Sequence, residues 1–233
     1  MLSAGGMFAA WEIGVLEALR GYFTPDLIVG ASAGSWNGWA LAGGAPLEEL
    51  EREWKDPRTA QLLRFHPHRW ALCSPEPLRE RALDLFQRFQ PRVPFGLTTV
   101  EVPSLRLRLT TGAHISWRHL AAACSIPLCF PAVEIDGTRH VDGGLRGALP
   151  LWAAREMGAT RAVALNCLTN WPLKMFRGIL LPPGEGSLPV VRIEPERPLG
   201  SLREAVIWSR ENTERWIAQG FADGIRARTS ITM

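Results

Sequence analysis

Lysine is almost absent from this chain: only Lys55 and Lys174 occur in its 233 residues, so arginine carries nearly all of the positive charge. The net charge is a mild +3, and the arginines are interleaved with Asp and Glu rather than gathered into a run. That spread lacks the clustered basic face that grips nucleic acid, so no nucleic-acid partner is expected. Scattered arginines remain compatible with peripheral contact with an anionic membrane surface. The four cysteines, Cys73, Cys124, Cys129 and Cys167, are too few and too scattered for a disulfide framework or a C-x-x-C metal site. Reduced, mostly buried thiols are expected instead. No apolar run is long enough to cross a bilayer. The opening MLSAGGMFAAWEIG has no basic start of a signal peptide, and Glu12 soon interrupts its apolar stretch. A cytoplasmic chain that is not exported is the expectation. Repeats and low-complexity tracts are lacking too.

What is present is an ordinary globular composition, 46% hydrophobic and 21% charged. The length suits one α/β domain over residues 1–233. A helix is expected from about Phe8 to Arg20, with Trp11, Val15, Leu16 and Leu19 on one stripe and Gly21 as its stop. Leu27 to Val29 reads as a buried strand, followed by a helix that closes at Gly43-Gly44. Strand, helix, strand, helix implies a mainly parallel sheet covered on both faces, a three-layer α/β/α arrangement. From about residue 46 to 95 the pattern becomes helical and polar, with Leu78, Ala82, Leu85 and Phe89 at helical spacing, and reads as an insertion over the sheet. Ser104 to Gly112 alternates as a strand, with Leu105, Leu107 and Leu109 on one face and Arg106 and Arg108 on the other. A short strand around His114 to Trp117 and a helix through Ala121 to Cys124 follow. Gly137 marks a hairpin turn and Gly143-Gly144 a second break. ATRAVALNC and LPVVRIEP are further buried-strand candidates. A long amphipathic helix is expected from about Leu202 to Gly220, supported by Glu211 four residues before Arg215.

The segment IVGASAGS, Ile28 to Ser35, places Gly30, Ala31, Ala33 and Gly34 around Ser32 between a strand and a helix. Such a G-x-S-x-G segment presents a serine on a sharp turn, where its neighbours must be nearly free of side chain. A plain Gly/Ser/Ala turn reads the same way. SAGG, Ser3 to Gly6, sits where a strand ends and a helix begins, so its amides lack intrahelical partners. An α/β-hydrolase triad would require His140 as the base, since it is the last histidine. The elbow at residue 32 comes too early for that fold, which counts against a His-based triad. His66 and His68 lack a third ligand cluster and read as a surface loop. Asn170 to Gly184 is apolar with proline breaks, a lid over the site or a packed helix. A nucleotide-binding module is disfavoured, because G-x-G-x-x-G and a P-loop lysine are both missing.

Three segments in order, LSAGG followed by GVLEAL, GASAGS, and SIPLCFPAVEIDGTRHVDGGLRGALPLWAAREMGA, resemble the patatin-like phospholipase family. The resemblance implies a Ser-Asp dyad, with Ser32 as nucleophile and Asp142 as the group that takes its proton, beside the Gly143-Gly144 turn. It further implies an oxyanion hole built from the backbone of Ala4, Gly5, Gly6 and Met7, and a lipid or small ester as substrate with neither metal nor organic cofactor. An Asp-Gly turn with no chemistry is the plain alternative for Asp142. Where the family's loop carries Arg or Lys and then Gly, this chain has Phe8 and Ala9. The missing cation turns the expectation from a phospholipid toward a simple acyl ester. It also keeps a rival open, a lipid-binding protein that has lost turnover.

Overall fold

The computed structural model describes residues 1–63, 65–68, 71–168 and 188–231. After a 3-10 turn at Gly6–Ala9 come α1 (Ala10–Ala18), β1 (Ile28–Ala31), α2 (Ala33–Ala42) and α3 (Leu47–Lys55). A 3-10 turn at Pro57–Gln61 leads to a hairpin of β2 (Phe65–His68) and β3 (Ala71–Cys73), then α4 (Glu76–Arg88). Next are β4 (Phe95–Val102), β5 (Leu107–Thr111), α5 (Trp117–Ala123), β6 (Val133–Ile135), β7 (Thr138–Asp142) and α6 (Leu151–Glu156). The chain then forms β8 (Ala162–Leu165), β9 (Val190–Ile193), α7 (Leu202–Val206) and α8 (Arg210–Ile231).

The heart of the sheet is parallel. β1 runs parallel to β4, and β8 runs parallel to β9. Leu2 joins these pairs through parallel bridges to Gly30 and to Leu165. The other neighbours of β4 are antiparallel: β5 lies on one edge, while β7, itself paired with β6, takes the far half of the edge that β1 occupies. β1 pairs with Phe95 through Thr98, and β7 pairs with Thr99 through Val102. The two strands therefore end face to face at adjacent residues of β4.

Side chains alternate across the sheet as period-two geometry requires. Ile28 enters the large core with α1, α2, α4 and α5, whereas Val29 packs on the opposite face against Ala153 and Ala154 of α6. α1 is not the one-sided helix that its stripe suggests. Ala10, Trp11, Ile13, Gly14, Val15 and Ala18 are all buried, and so is Glu12, because α8 covers the face turned away from the sheet. Trp11 Nε1 donates to Asp223 Oδ2 of α8 at 2.7 Å.

Several expected elements are corrected. β4 was not foreseen as a strand, and the region from 46 to 95 holds the β2–β3 hairpin beside its helices. His114 to Trp117 forms no strand: only Ile115 and Ser116 are extended, between a 3-10 turn at Gly112–His114 and α5, with Ser116 and His119 closing a capping box. The strand read from Ser104 begins only at Leu107, since Leu105 has φ 55° and lies in the preceding turn. The C-terminal helix is two helices. Ser209 breaks the run by accepting the Asn212 amide at the start of α8. Arg215 bonds Glu204 and Asn212, not the expected Glu211. Asn170 to Gly184 lies outside the described residues.

Candidate active site

The last residue of β1 is Ala31, and Ser32 turns the chain directly into α2. Two glycines permit that turn. A Cβ on Gly30 would stand 2.4 Å from the Gly34 carbonyl oxygen, and one on Gly34 would stand 2.5 Å from that of Ser3. Ser32 itself adopts φ 52° and ψ −132°, a conformation that L residues keep only when their surroundings enforce it. Its Oγ is thereby raised off the strand end.

β7 delivers the partner. Thr98 pairs with Ala31 and Thr99 pairs with Asp142, so β4 acts as a ruler that sets the two strand ends together. Ser32 Oγ donates to Asp142 Oδ2 at 2.5 Å. The other carboxyl oxygen, Oδ1, accepts the Gly144 amide at 2.7 Å, and the Asp142 amide donates to the Ser125 carbonyl. Both side chains are buried, each 4% exposed. Burial lifts the Asp142 carboxyl from its ordinary value to about 7, opposed by the bonds from Ser32 and Gly144. A carboxyl poised there accepts a proton near neutral pH, which an ordinary aspartate does poorly.

The glycine loop borders the same space. The Ala4 amide is engaged by the Ala148 carbonyl at 2.7 Å, which removes it as a donor to anything else. Gly5, Gly6 and Met7 precede the first intrahelical bonds of the 3-10 turn, so their amides are among the orphan donors of a helix start. Gly6 and Met7 line a pocket with Ser32 and Ala33, closed by Trp36, Trp54, Leu62, Leu78, Ile126 and Phe130. None of its lining residues is an ionised group at neutral pH. Cys124 also lines it, and burial, with the Asp142 charge nearby, raises its thiol well above the ordinary value. Phe8, where the family carries a cation, is buried edge-on against Trp216, with ring centroids 5.1 Å apart.

His140 lies two residues before Asp142, but its Nδ1 is bonded to Thr99 Oγ1 at 3.0 Å. All four cysteines are free. His66 is exposed, and among the described residues no group of three or more His, Cys, Asp and Glu side chains is placed to hold a metal. No helix there is long and apolar enough to cross a membrane. Sequence reasoning missed β4, the thiol of Cys124 and the pocket wall from Trp54. The β-branched run in FGLTTVEV was the available signal for β4.

The fold is that of VipD from Legionella pneumophila, which superposes with a TM-score of 0.65 over 98% of this chain and 66% of that one, at 12% identity. The chain belongs to the patatin-like phospholipase family, whose model matches residues 1–155. It is similar to patatin-like phospholipase domain-containing protein 6 of Homo sapiens, at 27% identity over an aligned length of 181 residues that covers 71% of this chain. Similarity to patatin-like phospholipase domain-containing protein 7 of Rattus norvegicus is 25% over the same length. The chain spans 13% of the length of each of these two relatives.

Proposed function

We propose that the protein is a serine acyl hydrolase that cleaves carboxylic esters of lipid-like substrates through Ser32 and Asp142. The observation that carries this reading is the 2.5 Å bond to a buried carboxyl from a conformationally strained serine that lines an apolar pocket. Asp142 takes the Ser32 proton as Oγ attacks the ester carbonyl. The oxyanion of the tetrahedral intermediate is met by amides of Gly5, Gly6 and Met7, with that of Ala33 at the start of α2 as a further donor. Asp142 then passes the proton to the leaving alcohol. A water activated by the same carboxylate attacks the acyl-enzyme and releases the acid, regenerating Ser32.

The uncharged pocket wall favours a plain acyl ester over a charged head group held close to the serine. The cavity beside Ser32 has a volume of about 50 Å³. A short acyl group suits that space without rearrangement. The test is release of p-nitrophenol from esters of increasing chain length by the wild type, Ser32→Ala and Asp142→Asn. Turnover by the wild type alone supports the dyad. A wild type as inert as Ser32→Ala favours the reading as a lipid-binding protein, consistent with the buried Phe8 in place of a cation.

A further inference from the structure

Glu12 is a carboxyl with no exposure at all, on the first turn of α1 and directly behind the glycine loop. Its Oε1 accepts the Ser3 amide at 2.8 Å, and its Oε2 accepts Asn37 Nδ2 at 3.0 Å. Asn37 Nδ2 also donates to the Ala9 carbonyl at 3.0 Å. Ser3 immediately precedes Ala4, and Ala9 closes the 3-10 turn. Glu12 and Asn37 therefore hold the loop at both ends. Ser3 Oγ extends the bracket by accepting the Cys167 amide at 3.0 Å, and Cys167 Sγ lies so close to Gly5 that a Cβ there would approach within 2.2 Å. On the other side, Asn37 Oδ1 accepts Trp54 Nε1 at 2.9 Å, and Trp54 lines the pocket of Ser32.

We propose that Glu12 is a positioning residue for the oxyanion loop: its carboxyl fixes the loop from behind and, through Asn37, ties it to Trp54 in the substrate pocket. The proposal rests on the acyl-hydrolase reading above. Two features separate this role from generic core packing. The ionised carboxylate accepts an N–H at each oxygen, whereas a side-chain amide in either orientation would turn an N–H toward one of those donors. The bonded groups reach the loop ends, the pocket wall and, through Ser3, Leu165 and Cys167 at the end of β8. Neither Ser32 nor Asp142 is among them, so disturbing Glu12 leaves the proton transfer in place and moves the donors that receive the oxyanion.

The experiment is steady-state ester hydrolysis, alongside the rate of fluorophosphonate labelling of Ser32, for wild type, Glu12→Gln, Asn37→Ala and their double variant. Val163→Ala, on β8 and outside the bonds of Glu12 and Asn37, serves as a destabilised control. Glu12→Gln is expected to lower kcat about 10- to 100-fold, a fraction of the loss from deleting an oxyanion donor, with KM within about twofold. Asn37→Ala should fall in the same direction. The double variant should be no slower than the slower single one, as expected for one coupled unit. Val163→Ala should lose stability and keep kcat. If Glu12→Gln does not fold, the kcat of Asn37→Ala decides. Unchanged kcat in the folded variants, or losses matched by the control, overturns the positioning role. A wild type that neither hydrolyses nor labels overturns the acyl-hydrolase reading, and this role with it.

Discussion

Two buried carboxyls flank the loop from Ser3 to Ala9, one on each side, and burial raises both: Asp142 to about 7 and Glu12 to about 8. Their bonding separates them. Asp142 receives one amide and one hydroxyl, and that hydroxyl belongs to a serine open to the pocket. Glu12 accepts a backbone amide, a side-chain amide and, at 3.4 Å, the Ser3 hydroxyl, and all of these donors are buried. A raised carboxyl alone does not mark a base. What distinguishes Asp142 is a partner able to give up a proton where a substrate can reach it.

Replacing the two carboxyls should break their likeness most sharply in turnover. Ser32→Ala should fall to background in the ester assay, and Asp142→Asn should lose about 100- to 10,000-fold, the range of a positioned general base. Glu12→Gln should lose far less, as argued above. If Asp142→Asn and Glu12→Gln lose equally, the contrast between base and bracket collapses. For wild type, kcat/KM should rise with pH through about 7 and then level off, because Asp142 must be ionised to accept the proton. A flat profile across that interval would remove Asp142 as the base.

In stability the expected order reverses. A carboxyl whose folded-state pKa is raised binds more protons folded than unfolded between its ordinary and raised values, so its cost is absent below about 4 and grows as pH rises. For Asp142 the cost is complete above about 7, on the order of 2–4 kcal/mol. Asp142→Asn should therefore melt several degrees above wild type at pH 8, with the two curves converging near pH 4. Thermal melts at both values check this. Glu12→Gln removes a similar cost, yet sets an N–H against a donor, so it should gain less at pH 8 than Asp142→Asn does. A larger gain for Glu12→Gln would show that the donor conflict at that site is small.

The candidate site was more legible in the sequence than the scaffold that assembles it. Ser32 and Asp142 stand in short motifs whose glycines carry the signal, and the hairpin at Gly137 was readable because Asp136 and Gly137 both take positive φ. β4 was hidden. Thr98 and Thr99 are fully buried polar residues in its middle, so the strand shows neither clean alternation nor an apolar run. Glu12 was noticed only as an interruption of an apolar opening. A lone acid in a helix that is otherwise apolar on all sides should have asked for buried donors, but Ser3 and Asn37 become its neighbours only once α2 lies against α1's start. The break at Ser209 was masked because the amphipathic pattern continues across it.

The smallest expected effect concerns His140, the nearest rival for the role given to Asp142. It shares β7 with Asp142 and is nearly buried, and burial lowers its pKa, so it is neutral near pH 7. Its ring bonds the side chain of Thr99, whose strand position opposes Asp142. A neutral ring bonded there supports the ruler strand and takes no proton from Ser32. His140→Gln can keep a polar contact with Thr99 and should retain activity within about threefold of wild type, with stability lower by about 1 kcal/mol for an imperfect buried hydrogen bond. Near-total loss of turnover with an unchanged melt would give the proton to His140, and Asp142 would then resemble Glu12, a buried carboxyl that orients its neighbours.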